Sequence, residues 1–160
     1  MSRITTPLIA ALFFALLPNH HSKAQTMNQN QSSIFPKGEK APAEYFTGTV
    51  WVRTLVPDDT TFNIVISNVT FEAGARTNWH THPAGQILLI TGGTGYYQEK
   101  GKPIQRMHKG EVVKCLPNVE HWHGASVDSA MTHIAMNPNT EKGIVVWLQK
   151  VTDDEYKNIK

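Results

Sequence analysis

Two short strings hold most of the chemistry this sequence could perform. Trp79-His80-Thr81-His82 sets two imidazoles two residues apart, and Glu120-His121-Trp122-His123 repeats that spacing further along. In an extended strand the side chains of residues i and i+2 leave the same face, about 7 Å apart. Each string is therefore a two-pronged claw for a divalent cation. Gln86 follows the first claw beyond a Pro83-Ala84-Gly85 turn, and His133 lies on a third stretch of strand-forming residues. A single HxH is commonly an ordinary half-buried pair, but six of the eight histidines here fall between positions 80 and 133. Several imidazoles buried together with few carboxylates carry lone pairs that need partners, and a divalent cation satisfies several at once. Cys115 is the single cysteine; it cannot close an internal disulfide and reads as a small buried hydrophobe rather than a nucleophile. His108, beside Lys109 and Gly110 in a turn, reads as a solvated surface residue.

The segments that must hold these side chains are short, β-branched or aromatic, and bounded by Gly, Pro and Asn. They run Thr47 to Thr54, Phe62 to Phe71, Thr77 to His82, Gln86 to Thr91, Tyr96 to Lys100, Ile104 to Met107, Glu111 to Cys115, Glu120 to Ala125, Ala130 to Met136 and Ile144 to Val151. Many short strands at close spacing predict an all-β fold, an antiparallel sandwich or barrel. Glycine-bearing connections are expected at Glu72-Ala73-Gly74-Ala75, Thr91-Gly92-Gly93-Thr94-Gly95, Lys100-Gly101-Lys102-Pro103 and Lys109-Gly110. Only Pro42 to Tyr45 and the tail look helical. In the tail, Thr152-Asp153-Asp154-Glu155 reads as a capping box opening a short C-terminal helix. Trp79 and Trp122 alternate with the histidines, so they are expected to face away from the claws, into sheet packing or an interface.

A chain of 160 residues, 40% hydrophobic and 18% charged, has the size and composition of one globular domain. Its start is different in kind: Arg3, an apolar run from Leu8 to Leu17, Pro18, and small residues in Ser22-Lys23-Ala24 predict a signal peptide over 1–24. Ten apolar residues rise about 15 Å as a helix against a hydrocarbon core of roughly 30 Å, too short to span. Cleavage after Ala24 removes Arg3 and Lys23, leaving 13 basic against 13 acidic residues. A neutral mature chain gives no support to nucleic-acid binding or to a polybasic membrane patch. Residues 25–40 are polar without apolar period and are expected to be flexible, 41–156 to form the domain, and 157–160 to be a tail. The expected product is soluble, periplasmic or secreted, and free of the membrane after leader cleavage.

These residues resemble those of the cupins. The first cupin motif, G-x5-H-x-H-x3-E-x6-G, maps onto Gly74, His80, His82, Gln86 and Gly93 with every spacing kept and only the acid changed. The second, G-x5-P-x-G-x2-H-x3-N, maps onto Gly110 and His121, with Leu116 for the proline, Asn118 for the glycine and Ala125 for the asparagine. Asparagine is the residue after glycine best able to sit at positive φ. The strings Phe46-Thr47-Gly48-Thr49-Val50, Trp79-His80-Thr81-His82-Pro83-Ala84-Gly85-Gln86, His121-Trp122-His123-Gly124-Ala125, Met131-Thr132-His133-Ile134-Ala135 and Val151-Thr152-Asp153-Asp154-Glu155-Tyr156 are similar to the manganese-containing cupin hydroxynitrile lyases of bacteria. The resemblance covers about Ala41 to Tyr156. It implies a single-domain jelly-roll β-barrel and a homo-oligomer, a dimer or higher. The implied substrate is a small molecule, a cyanohydrin such as mandelonitrile, cleaved to a carbonyl compound and hydrogen cyanide.

Carried over position by position, the resemblance makes His80, His82, Gln86 and His121 the metal ligands and sets His123 and His133 beside the metal as the catalytic residues. Three imidazoles and an amide are all neutral, so the cation keeps its full charge and is a stronger Lewis acid than beside the usual glutamate. Mn²⁺ is the expected divalent metal, with Fe²⁺ or Zn²⁺ as alternatives. Six-coordinate manganese or iron would leave two positions open, whereas zinc would close the set as a tetrahedron. A free imidazole next to a cation stays neutral, which suits His123 as general base and leaves His133 as a second base or a hydrogen-bonding support. The same ligands would also serve a manganese or iron dioxygenase, or a binding cupin without turnover. The lyases usually carry glutamine where Asn137 stands, facing the substrate, so the pocket is expected to differ there.

Overall fold

Strand after strand in this protein buries alternate residues, and the buried set closes around one interior. Along Gln86 to Ile90, for example, Gln86, Leu88 and Ile90 are buried while Ile87 and Leu89 are only half covered. The structure, a computed structural model, describes residues 34–159; the expected leader 1–24 and residues 25–33 of the N-terminal segment lie outside the described residues. In chain order the strands are β1 (Glu39–Lys40), β2 (Phe46–Thr47), β3 (Val50–Val56), β4 (Ile64–Phe71), β5 (Arg76–Thr77) and β6 (His80–Thr81). They continue as β7 (Gln86–Glu99), β8 (Gln105–His108), β9 (Val112–Cys115), β10 (His121–Ala125), β11 (Met131–Pro138) and β12 (Val146–Trp147), and the chain ends in helix α1 (Asp153–Lys157). Every pairing is antiparallel. The path β1-β3-β4-β11-β7-β10-β5-β2 carries the sheet round, with β8 and β9 beside β7, β6 beside β10, and β12 beside β6. This is the all-β jelly-roll barrel with a short C-terminal helix that the sequence predicts.

The central strand departs from expectation. Thr91 to Gly95 does not turn; β7 runs unbroken from Gln86 to Glu99, pairing β11 and β9 with its first half and β10 and β8 with its second. The glycines serve close approach within the sheet. A Cβ at Gly93, where φ is +71°, would collide with the Ala130 carbonyl, and one at Gly95 would collide with Met131 Sδ. The β11 register shifts at the same place, between Thr132 and His133, so the glycine run marks a bulge that bends β7 from one sheet into the other.

Two other strands are shorter than expected. Thr77 to His82 divides into β5 and β6 because Asn78 and Trp79 turn their backbones elsewhere, Asn78 N–H to the Tyr45 carbonyl and Trp79 N–H to the Gln149 carbonyl. Ile144 to Val151 contracts to β12, although Leu148 N–H bonding to the Trp79 carbonyl carries the pairing one step further. Ordered pairing also begins at Glu39, two residues before the expected start of the domain, through β1 on β3.

The core has two parts. Phe71, Leu88, Ile90, Tyr97 and Met131 fill the barrel interior, and Trp79, Tyr96, Trp122, Val151 and Tyr156 pack on the outside of the β5–β6–β10 face. The two tryptophans thus face away from the histidines into packing beneath α1, as their alternation predicts. Thr152 and Glu155 form the expected capping box. Tyr156 then donates its hydroxyl to the Ala125 carbonyl at 2.8 Å, under the Arg76 guanidinium 4.6 Å from its ring. Arg76 also donates to the Val151 carbonyl and to Asp153, at 3.1 and 2.6 Å. These bonds pin the end of a tail whose earlier part, Ile144 to Trp147, forms a wall of the cavity described next. Among the described residues no helix is long and apolar enough to cross a membrane.

Candidate metal centre

β6 lies between β10 and β12, which puts His80 directly opposite His121 on one side and Trp147 on the other. His82 follows β6 on the same face. The ring centroids stand 4.3 Å apart for His80 and His121, 5.1 Å for His80 and His82, and 5.4 Å for His82 and His121. One ring nitrogen from each lies within 4.8 Å of the others. Which nitrogen faces inward is decided by backbone carbonyls. Nδ1 of His80 bonds to the Asn78 carbonyl at 2.9 Å, that of His82 to Ile144 at 2.5 Å, and that of His121 to Val119 at 2.9 Å. A carbonyl only accepts, so each Nδ1 carries the proton and each Nε2 keeps a bare lone pair. Nε2 of His82 and of His121 are buried without any partner in the protein. Three convergent imidazoles, two of them with buried and partnerless Nε2 lone pairs, fit a divalent transition metal, whose histidine ligands characteristically donate their second ring N–H in this way.

Electrostatics keep the site in that form. Burial drives the His80 pKa well below its ordinary value, helped by the neighbouring His121 and His82. Burial also lowers His82, against the opposing pull of the Ile144 carbonyl, and brings His121 to about 4. All three rings are neutral at neutral pH and available as ligands.

Gln86, at the start of β7, is buried and donates Nε2–H to Asn137 Oδ1 at 3.0 Å, leaving its own Oε1 without a partner. His123 shares the buried face of β10 with His121, and its ring centroid is 5.4 Å from that of His80. His133 enters from β11, its ring 4.9 Å from that of His123 and 5.6 Å from that of Phe71. Burial drives the pKa of His123 well below its ordinary value and that of His133 to about 3. Nδ1 of His123 and both nitrogens of His133 are buried without partners. The structure thus brings the six sequence-predicted site residues together inside the barrel, His80, His82 and His121 as a convergent cluster and His133 reached from it through His123.

His80, His82, Gln86, His123 and His133 line a cavity of about 260 Å³ whose remaining wall is largely apolar, with Phe46, Phe71 and Trp147 its aromatic members. Sequence reasoning did not reach this wall. Trp147 stacks on Tyr45 at 4.8 Å and meets Phe46 edge-on, contacts between segments a hundred residues apart that no local spacing encodes. The carbonyls that set the tautomers were equally invisible, because every residue type has one. Two other expectations hold: His108 is exposed, and Cys115 is buried with its thiol pushed up to about 12, chiefly by burial. Asn118 stands at φ +59°, and its N–H bonds to the His82 carbonyl at 2.9 Å, so asparagine does fill the glycine position of the second motif.

An antiparallel jelly roll with inward histidines on two facing strands defines the metal-site class of cupins, and comparison with known proteins agrees. Residues 67–137 match the cupin domain family. The chain is 43% identical over 118 residues to the (R)-mandelonitrile lyase of Granulicella tundricola, covering 74% of this chain and 90% of that protein. It is 48% identical to a cupin-like protein from Thermotoga maritima of known structure, with TM-score 0.77 over 79% of this chain and 96% of that one. A cupin-2 domain protein from Rhodospirillum rubrum shares the fold at TM-score 0.57 and 17% identity, over 74% of this chain and 75% of that one. The chain belongs to the cupin family.

Proposed function

We propose that this cupin is a divalent-metal-dependent hydroxynitrile lyase, cleaving a cyanohydrin to a carbonyl compound and hydrogen cyanide. The observation that carries the reading is the pairing of two imidazole sets at one cavity. Three rings have their tautomers fixed with Nε2 converging, and two more, His123 and His133, are held neutral beside them with nitrogens that no protein group engages. The 43% identity to a mandelonitrile lyase supports the same chemistry.

In this reading His80, His82, His121 and Gln86 hold the cation, with Mn²⁺ the metal that the resemblance to the manganese-containing lyases implies. When bound, the metal supplies Lewis acidity toward an oxygen that gains negative charge as the C–C bond breaks. The apolar wall of Phe46, Phe71 and Trp147 takes the hydrocarbon part of the substrate and keeps bulk water away from it. His123 accepts the hydroxyl proton at a ring nitrogen and returns it to the departing cyanide, so hydrogen cyanide and the carbonyl compound leave and the imidazole ends neutral as it began. His133, edge-on to His123, orients that ring and offers a second site for the same proton. The leader-like residues 1–24 support a location outside the cytoplasmic membrane for this proposed activity.

The test is anaerobic. Cyanide released from mandelonitrile without oxygen, lost on adding a chelator and on His123→Ala, is the expected result. In a parallel aerobic arm, oxygen consumption without cyanide would replace the lyase with an oxidative cupin, and metal binding with no turnover in either arm would leave a binding protein.

A further inference from the structure

Gln86 is an unusual choice for a metal site because an amide presents either an oxygen that can ligate or an NH₂ that cannot, and nothing in glutamine itself selects between them. Asn137 is the side chain that meets this amide. It lies on β11 directly across the ladder from Gln86, one step along from the Met136–Ile87 pair. Both side chains are more than nine-tenths buried, and Gln86 Nε2 donates to Asn137 Oδ1 at 3.0 Å. The amide pair has two self-consistent arrangements. In one, Gln86 donates and its Oε1 is left bare; in the other, Asn137 donates and Gln86 turns its NH₂ outward, which would set N–H groups against a cation. The observed arrangement is the first, and Gln86 Oε1 is a buried acceptor with no protein partner. Donation from Nε2 also draws electron density onto Oε1, which makes it a better donor to a metal.

We propose that Asn137 is a positioning residue for the metal centre: it accepts the Gln86 amide N–H and so holds Oε1 as the ligating atom. This rests on the metal-site reading above. Asn137 acts through Gln86 alone, so its effect must vanish when Gln86 is gone, a property that a packing role would not share. It also requires only an acceptor at position 137, which aspartate preserves and leucine removes.

The experiment measures Co²⁺ affinity by competition with a chelator, and the Co²⁺ visible spectrum, on the full mature chain. Four variants are compared with wild type: Asn137→Leu, Asn137→Asp, Gln86→Ala, and Asn137→Leu combined with Gln86→Ala, with His121→Ala as a reference. Asn137→Leu is expected to weaken binding about 10-fold or more, within the range found for lost ligand-supporting bonds, and to alter the spectrum. Asn137→Asp is expected to bind at least as tightly as wild type. In the Gln86→Ala background Asn137→Leu should change affinity by less than about 2-fold, since the coupling runs through the missing side chain. Equal losses in both backgrounds, no loss in either, or an Asn137→Asp variant as weak as Asn137→Leu would each overturn the proposal. If leucine prevents folding, Asn137→Ala takes its place in the same cycle with the same expectations. Binding lost in His121→Ala but untouched by Asn137→Leu sinks only the positioning role; wild-type protein that binds no Co²⁺ sinks the metal reading and the proposal together.

Discussion

Acid should unfold the metal-free protein through its buried imidazoles, and the extent can be worked out. The native pKa of His121 is about 4 and that of His133 about 3, both lowered chiefly by burial. An unfolded histidine titrates near 6.5. Between the two values the unfolded chain holds a proton that the native chain refuses, so stability is complete above about pH 6.5 and falls as the pH falls. At about pH 5 each of these two histidines removes roughly 2 kcal/mol, about 4 kcal/mol together. His80, His82 and His123 are shifted in the same direction and add to the loss. Glu72, Glu99, Asp153 and Glu155 have lowered pKa values, so their contributions persist above about pH 4.5 and do not enter this window.

A domain's total stability is roughly 5–15 kcal/mol, and at this size each kcal/mol moves Tm by roughly 2–4 °C. The apoprotein's Tm should therefore drop by at least about 8–16 °C between pH 7 and pH 5, the part due to His121 and His133 alone. Saturating Mn²⁺ competes with protons for the three Nε2 lone pairs and should hold the loaded protein's Tm nearer its neutral value. Calorimetric scans of chelated and loaded protein at the two pH values make the comparison. An apoprotein Tm flat to within about 2 °C would mean that the imidazoles are solvated or already partnered, contrary to the burial and orphaned nitrogens described above.

Removing a ligand should remove the metal: His80→Ala or His121→Ala should lower bound metal from about one per chain to a trace by elemental analysis, and full occupancy in either would exclude that residue as a ligand. Gln86→Glu should bind metal at least as tightly, because a carboxylate adds attraction, yet turn over mandelonitrile more slowly at equal occupancy, because it cancels part of the cation's charge. Unchanged or faster turnover would count against the Lewis-acid role. Tyr156→Phe leaves the Ala125 carbonyl buried without its 2.8 Å donor and should cost about 1–3 kcal/mol in urea unfolding. A midpoint that does not move would show that the hydroxyl bond contributes nothing to holding the tail.

What the sequence made legible follows from what local spacing encodes. Two histidines two residues apart share a face in any strand, so His80 with His82 and His121 with His123 were readable as claws before any strand was placed. Alternation likewise sent Trp79 and Trp122 to the other face, and the Thr152–Glu155 capping box announced α1. The glycine run at 91–95 misled because turn chemistry and bulge chemistry use the same residue; only Ala130 and Met131 pressing on Gly93 and Gly95 distinguish them, and they come from β11. Asn137 was readable as a cavity residue through the resemblance, but its bond to Gln86 depends on the register of β11 against β7, which no motif records.

The distribution of unsatisfied groups shows why these residues belong together. Among the described residues, ten buried side-chain nitrogen and oxygen atoms have no partner, and six of them belong to His82, Gln86, His121, His123 and His133. Folded proteins pair nearly all buried polar atoms, and each omission costs about 1–3 kcal/mol. Six inside one barrel is a penalty comparable with the stability of a whole domain. Local rules are broken in this way at functional sites, where a bound species supplies the missing partners. In the proposed reading a cation would meet His82 Nε2, Gln86 Oε1 and His121 Nε2 from one side, and a substrate hydroxyl would give His123 and His133 something to accept from the other. The deficit thus falls in two adjoining groups, His82, Gln86 and His121 in one and His123 and His133 in the other, and the proposed reaction, which needs a cation and a proton acceptor at once, would supply partners to both.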